Sequence, residues 1–383
     1  METATLSDHI KRKARELGFT LVGITTPEQP SHLNVYKDWI KAGHHGKMAY
    51  LETDRAIKAR ANPRILLPEC QSILVLGIPY SNPHSTPSAV ADTGPTGRIA
   101  AYAWGDDYHD VLKVALKELV DYIEELSGTS VANRWYTDTG PIMESELAQR
   151  AGLGWIGKNS LLINPEQGSY FLLAEILLGI ELEADQAVTN DFCGSCTRCI
   201  EACPSDCILP NRTIDANRCI SYLSIELKDV IPTENRTQMD NWVFGCDICQ
   251  EVCPWNMRFA HSRGHHEFEA REGIQLIELE KELELGPGDF NKKFKASPVK
   301  RTKRRGYLRN VAIALGNAGQ ESSVPALKRS LLTDEEKLIR GHAAWALGKI
   351  GGSEAKASLG EAQQKEEDDW VKEEISSARK SFD

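Results

Sequence analysis

The chain has 383 residues, of which 41% are hydrophobic and 26% charged, and its formal net charge is -10. That length predicts two or three domains of ordinary globular composition. The acidic balance excludes a globally basic nucleic-acid binder, so any such contact has to rest on a local patch. No apolar run reaches the ~18 residues of a spanning helix. Residues 73–80 and 171–180 come nearest, and Glu175 interrupts the second. The opening Met1-Glu2-Thr3, followed by His9, Lys11, Arg12 and Lys13, has no apolar signal stretch. The expectation is a cytoplasmic protein without membrane contact.

In chain order, residues 21–24 and 72–78 are short strand-type runs, the second closed by Pro79. Between 108 and 126, Val111, Leu112, Val114, Leu116, Leu119, Val120, Ile123 and Leu126 recur at helical spacing. Asp107-Tyr108-His109 begins the Asp-x-His-x-x-Gly corrinoid-ligand pattern, but Leu112 stands where glycine is required. Spacing alone therefore does not imply cobalamin, and His109 reads as a helix-start or surface residue. Asp138 to Pro141 form a turn, and residues 142–151 read as a helix with Glu144 and Glu146 in its first turns, where the dipole favours carboxylates. Asp138 by itself reads as a turn or N-cap aspartate. To serve as an acid near pH 7 it would need its pKa of ~3.9 raised by ~3 units in a dry pocket, at about 4 kcal/mol.

Gly152-Leu153-Gly154-Trp155-Ile156-Gly157 matches the dinucleotide fingerprint letter for letter. It follows a helix where the fingerprint must follow a strand, so it reads as a helix cap and tight turn, without nicotinamide. Residues 170–180 suit a buried strand, although periodicity leaves a helix open.

Nine of the ten cysteines lie between 193 and 253. In a reducing compartment such crowding argues for metal rather than disulfides. Cys193-x2-Cys196-x2-Cys199-x3-Cys203-Pro204 has the spacing of one half of a bacterial ferredoxin. Cys246-x2-Cys249-x3-Cys253-Pro254 is a second half lacking its first cysteine, with Cys219 available upstream. Thiolates two residues apart wrap one cubane, and the cysteine before proline ligates the other. One [4Fe-4S] cluster is thus expected on Cys193, Cys196, Cys199 and Cys253, the other on Cys203, Cys219, Cys246 and Cys249. Cys207 competes with Cys219 for the last place; otherwise it and Cys70 read as packed thiols. A pair of zinc sites is the alternative, but the x2-x2-x3-Pro run has no purpose there.

From 292 to 309 the chain carries Lys292, Lys293, Lys295, Lys300, Arg301, Lys303, Arg304, Arg305 and Arg309, and no acidic residue. A solvated linker is the usual reading of such a run. In an acidic chain the same run could neutralise several phosphates, with salt-sensitive binding. Ala314-Leu315-Gly316-Asn317-Ala318-Gly319 returns 32 residues later as Ala346-Leu347-Gly348-Lys349-Ile350-Gly351. That period is the mark of a HEAT-type helical repeat.

Taken together, the chain resembles the cobalamin-dependent epoxyqueuosine reductases of tRNA queuosine biosynthesis. The likeness rests on Arg64 with Leu66-Leu67-Pro68, Ala103-Trp104-Gly105-Asp106-Asp107-Tyr108-His109, Asp138-Thr139-Gly140-Pro141 and the block from Arg150 to Ser160. It continues through both cysteine runs, Lys300-Arg301-Thr302-Lys303-Arg304-Arg305 and Gly341-His342-Ala343-Ala344-Trp345. Members often have alanine where this chain has Gly140.

The resemblance implies an α+β protein: a mixed α/β cobalamin-binding catalytic domain (1–183), a ferredoxin-like module with two [4Fe-4S] clusters (184–262), a linker with the basic run (263–305) and a HEAT-like helical domain (306–383). It implies that electrons pass through the clusters to the corrinoid, which removes the epoxide oxygen from the modified base, with Asp138 as proton donor and itself near the cofactor. Arg64, Tyr102, Asn159, Ser160 and Ser221 are expected cobalamin contacts by their place beside the matching blocks. Lys300, Arg301, Lys303, Arg304 and Arg305 would hold the anticodon arm of tRNA. A ferredoxin or flavodoxin would donate electrons to a monomeric enzyme. The competing readings are another corrinoid iron–sulfur reductase acting on a small molecule, and an electron carrier without catalysis.

Overall fold

The computed structural model describes residues 5–80, 94–260 and 264–382. The opening Met1-Glu2-Thr3 and the expected boundary at 262/263 lie outside the described residues. The described strands are β1 (Leu21–Thr25), β2 (Ser72–Pro79), β3 (Thr96–Ile99), β4 (Asn133–Tyr136), β5 (Trp155–Ile156), β6 (Leu162–Ile163), β7 (Phe171–Leu178), β8 (Trp242–Phe244) and β9 (Leu276–Glu278). The chain forms two compact units, one of residues 1–86, 105–217 and 248–269, the other of 87–104, 218–247 and 270–383.

The first unit is built on an antiparallel sheet in the order β1-β2-β7-β4. The segment 170–180 left open by periodicity is a strand because it pairs on both sides, Glu175 opposite Val75 of β2 and Tyr136 of β4. Side chains of a strand alternate between faces. Phe171, Leu173 and Leu177 share one face and pack with Ile73, Val75, Leu147 and Ala148, the last two from the helix Glu144–Arg150. That helix therefore covers the face on which Glu175 lies. The helix expected over 108–126 spans Tyr108–Ser127, and its stripe Leu112, Leu116, Leu119 and Ile123 is fully buried. The Asp107 side chain caps its start by accepting from His109 N, and Gly128 ends it at φ 66°.

The glycine-rich block is a helix end followed by the β5–β6 hairpin, as its inverted context predicts. Gly154 is required there because a Cβ would collide with the Ile163 carbonyl.

The second unit joins the sheet β8-β3-β9 to five longer helices, Lys303–Ala318, Val324–Thr333, Lys337–Ile350, Ser353–Lys365 and Asp369–Arg379. The repeated Ala-Leu-Gly places small residues where helices close in: Gly316 lies against Trp345 and Ala346, and its repeat Gly348 against Ala378. The basic stretch is folded rather than loose. It contains the helix Pro287–Lys293, the 3-10 turn Pro298–Thr302 and the start of the helix at Lys303.

Candidate active site

A cavity of about 930 Å³ opens in the first unit. Its walls include the aromatic rings of Tyr36, Trp39 and Trp155 and the charged Arg60, Asp138 and Glu144. Asp138 lies two residues past the end of β4, and its backbone is left-handed at φ 53°, a conformation uncommon outside glycine and clustered at functional sites. Two contacts hold it. Its N–H donates to Glu144 Oε1 at 2.8 Å, and Tyr108 donates its hydroxyl to Asp138 Oδ2 at 2.8 Å. The N-cap reading is thereby corrected, because Met143 occupies that position and Asp138 instead receives the carboxylate of the first helical residue. Asp138 is exposed in the chain by itself. A role as an acid would require dry surroundings, which whatever fills the cavity would have to supply. Gly140 lies tight against Tyr136, where a Cβ would stand 2.5 Å from the ring's Cγ.

Two acidic groups behind Asp138 were not singled out for chemistry by the sequence. Desolvation, and then the charge of Asp138, push the Glu144 carboxyl up to about 8. Glu175 is fully buried, neither carboxyl oxygen has a hydrogen-bond partner, and desolvation followed by Glu144 and Asp138 raises it well above the usual carboxylate range. The sequence signal was present: Glu175 is the lone acid in an apolar strand. Arg60, half-desolvated and lowered for that reason, stacks over Tyr36 with its guanidinium carbon 5.1 Å from the ring centre.

Of the cofactor contacts expected from sequence, Ser160 lines the cavity at φ 66°. Asn159 is buried and reaches the Cys249 carbonyl at 3.5 Å. Arg64 is not among the lining residues; it donates to the carbonyls of Cys70 and Pro27. Tyr102 and Ser221 belong to the second unit, where Tyr102 packs on Phe244 and the Ser221 carbonyl accepts from Ser224. His109 pairs with Asp107 at 2.8 Å at its helix start, away from the cavity lining.

The thiols of Cys193, Cys196, Cys199 and Cys253 all lie in the first unit and within electrostatic reach of one another. Burial first, then the neighbouring thiols, raises Cys199, and burial raises Cys253. This set of soft donors suits iron–sulfur chemistry. Among the described residues no group of three or more His, Cys, Asp or Glu is placed to hold a single metal ion. Trp155 Nε1 donates to Cys193 Sγ at 3.4 Å, and the same indole lines the cavity. Cys203 and Cys249 belong to the first unit, Cys219 and Cys246 to the second. Cys207 is buried with its Sγ 3.4 Å from that of Cys203, and Cys70 is a buried thiol pushed up to about 11 by desolvation.

In the second unit Lys300, Arg301 and Lys303 are exposed, while Arg304 and Arg305 are half-buried. Arg301 pairs with Glu226 at 2.6 Å and Arg304 with Asp334 at 2.5 Å. Arg309 is wholly buried and donates to the carbonyls of Leu223, Leu227 and Asp229, so the last cation of the run is structural.

Comparison with known proteins gives three family matches: the epoxyqueuosine reductase QueG domain over residues 60–139, a 4Fe-4S double cluster binding domain over 192–256 and HEAT repeats over 305–379. The chain is similar to an epoxyqueuosine reductase of Cyclobacterium marinum, 41% identical over 80% of this chain and 97% of the relative. It is also similar to one of Pseudomonas aeruginosa, 36% identical over 91% of this chain and 96% of the relative. Among solved structures, an epoxyqueuosine reductase with an epoxyqueuosine-modified tRNA-Tyr stem loop superposes at a TM-score of 0.89, with 32% identity and 98% coverage of both chains.

Proposed function

The chain belongs to the epoxyqueuosine reductases, and from that membership we propose that it reduces epoxyqueuosine to queuosine in the anticodon loop of tRNA. The observation that carries this reading is Trp155, whose ring lines the Asp138 cavity while its N–H touches the thiol of Cys193. Electron carrier and reaction pocket thus meet on one side chain.

A cavity of about 930 Å³ with aromatic walls and a few convergent polar groups is at the large end of small-molecule sites and fits a broad ring system. Ser160 on its wall and the buried Asn159 would hold cobalamin from this unit; Arg64, Tyr102 and Ser221 remain part of the same proposal on their sequence context. Cys193, Cys196, Cys199 and Cys253 would hold one cluster, and Cys203, Cys219, Cys246 and Cys249 the other. When bound, these groups supply the electrons of the reduction.

The chain's own residues handle the proton and the RNA. Asp138 gives a proton to the departing oxygen, since a carbon–oxygen bond breaks readily only when the oxygen is protonated. Tyr108 fixes the orientation of that carboxyl. Lys300, Arg301, Lys303, Arg304 and Arg305 would grip the phosphates of the anticodon arm, where a looped-out base is accessible. We place the enzyme in the cytoplasm as a monomer served by a ferredoxin or flavodoxin.

The test is anaerobic incubation with a strong reductant, cobalamin and a stem loop carrying epoxyqueuosine, followed by nucleoside mass spectrometry. Loss of one oxygen from the base is expected. Unchanged epoxyqueuosine with fully formed clusters would contradict the assignment, and turnover of a small organohalide instead would favour the small-molecule reading.

A further inference from the structure

Removing an epoxide oxygen as water breaks two carbon–oxygen bonds, forms one carbon–carbon double bond and consumes two electrons and two protons. The electrons come from the external reductant through the clusters. Asp138 carries one proton. A second is needed, or the oxygen would have to leave as hydroxide, a far poorer leaving group than water.

We propose, resting on the reductase reading above, that Glu144 supplies this second proton at the cavity wall, with Glu175 behind it as a positioning group that stays protonated. Glu144 is the nearer group: it lines the cavity and its Oε1 accepts the Asp138 N–H at 2.8 Å. Glu175 lies on the sheet face covered by the helix that Glu144 begins, directly across from Tyr136, two residues before Asp138. Both of its carboxyl oxygens are buried without a hydrogen-bond partner. An ionised carboxylate there would be uncompensated, so the group is held as the neutral acid.

The surroundings agree. The groups that bear on the pair are Asp138 after β4, Tyr136 within β4, Tyr108 from its helix through Asp138, and Arg60 from the helix Asp54–Ala61. β2 offers the apolar Val75 opposite Glu175. Arg60 acts on Glu144 in the direction of the carboxylate, but less than desolvation and the Asp138 charge act against it. Glu175 touches neither cavity nor substrate and stays neutral, so its part is that of a positioning group behind Glu144.

The test compares wild type with Glu144→Gln, which preserves size and the acceptor for the Asp138 N–H but has no ionisable proton, and with Glu175→Gln, which tells the two carboxyls apart in the infrared. The first readout needs no cofactor: the infrared carbonyl stretch of protonated carboxylic acid in the apoprotein at neutral pH. It should be present in wild type and diminished in either variant. The second is the single-turnover rate of epoxyqueuosine reduction across pH. Wild type should hold its rate as pH rises toward about 8, whereas Glu144→Gln should be slower by about tenfold or more and fall steadily as solvent protons become scarce. Glu144→Gln with the wild-type rate and pH profile, or loss of the whole infrared band in Glu175→Gln, would overturn the inference and leave the reductase assignment standing. Absence of the infrared band from wild type would overturn it too. A wild type that converts no epoxyqueuosine at all would instead remove the assignment on which it rests.

Discussion

At the scale of single residues, the site is a set of carboxyls kept apart in character by their surroundings. Asp138 is exposed on a left-handed backbone, while Glu144 is raised to about 8, chiefly by desolvation. The raised group has a consequence for stability. Between its ordinary value of 4.5 and about 8 the unfolded chain has lost this proton and the folded chain retains it, so stability falls as pH rises. The slope from this one group approaches about 1.4 kcal/mol per pH unit. Glu144→Gln should therefore gain stability over wild type progressively between pH 4.5 and about 8, and no further above, as read from denaturant midpoints. Tyr108→Phe removes only the hydroxyl that orients Asp138. Loss of one such bond, worth about 1 kcal/mol, should slow reduction severalfold without altering corrinoid uptake in an equilibrium titration. Asp138 was legible in the sequence through its family block alone, because a turn aspartate has no distinguishing pattern. Glu175 was visible as an acid in an apolar run, but its meaning depends on Glu144 and Asp138, brought near by strand pairing and a helix start that sequence spacing does not encode.

Among elements, periodicity served where one face is buried and failed where both are. The helix Tyr108–Ser127 was readable because its apolar stripe repeats against charges. β7 was not, because a sheet covered on both faces leaves an almost unbroken apolar run. The glycine-rich block was settled by context: a helix precedes it, and Gly154 serves close packing with Ile163. The HEAT-like repeat was legible from its 32-residue return, but the pair that locks it was not. Arg236, only 1% exposed, donates two bonds to Glu374 of the last long helix, at 2.6 and 2.8 Å. Glu374→Ala would leave that guanidinium without its carboxylate, with only the Nε bond to the Ile231 carbonyl and the Trp345 ring remaining, and should destabilise the second unit by about 3–5 kcal/mol. Glu374→Gln, which keeps one acceptor, should lose less. Chemical denaturation of both variants measures the difference.

On the scale of the whole molecule, an acidic chain concentrates cations in one short stretch, and folding sorts them. Arg309 is spent on carbonyls in the interior and Arg304 on Asp334, leaving Lys300 and Lys303 among the exposed cations. Lys300→Ala with Lys303→Ala should weaken binding of the anticodon stem loop and reduce its salt slope by ~0.7–0.9 for each phosphate that is no longer neutralised. Fluorescence anisotropy from low to high salt reads both, and an unchanged slope would return the run to the status of solvated surface. The direct test of the electron and proton coupling follows the clusters and the base together. Cobalamin-loaded protein is reduced anaerobically, freed of excess reductant and mixed with the epoxyqueuosine stem loop, while cluster absorption is followed in wild type and Asp138→Asn. Clusters in wild type should reoxidise as queuosine forms, and those in the variant should stay reduced with the base unconverted. Reoxidation of the variant at the wild-type rate, with queuosine formed, would contradict the role given to Asp138 and the coupling built on it.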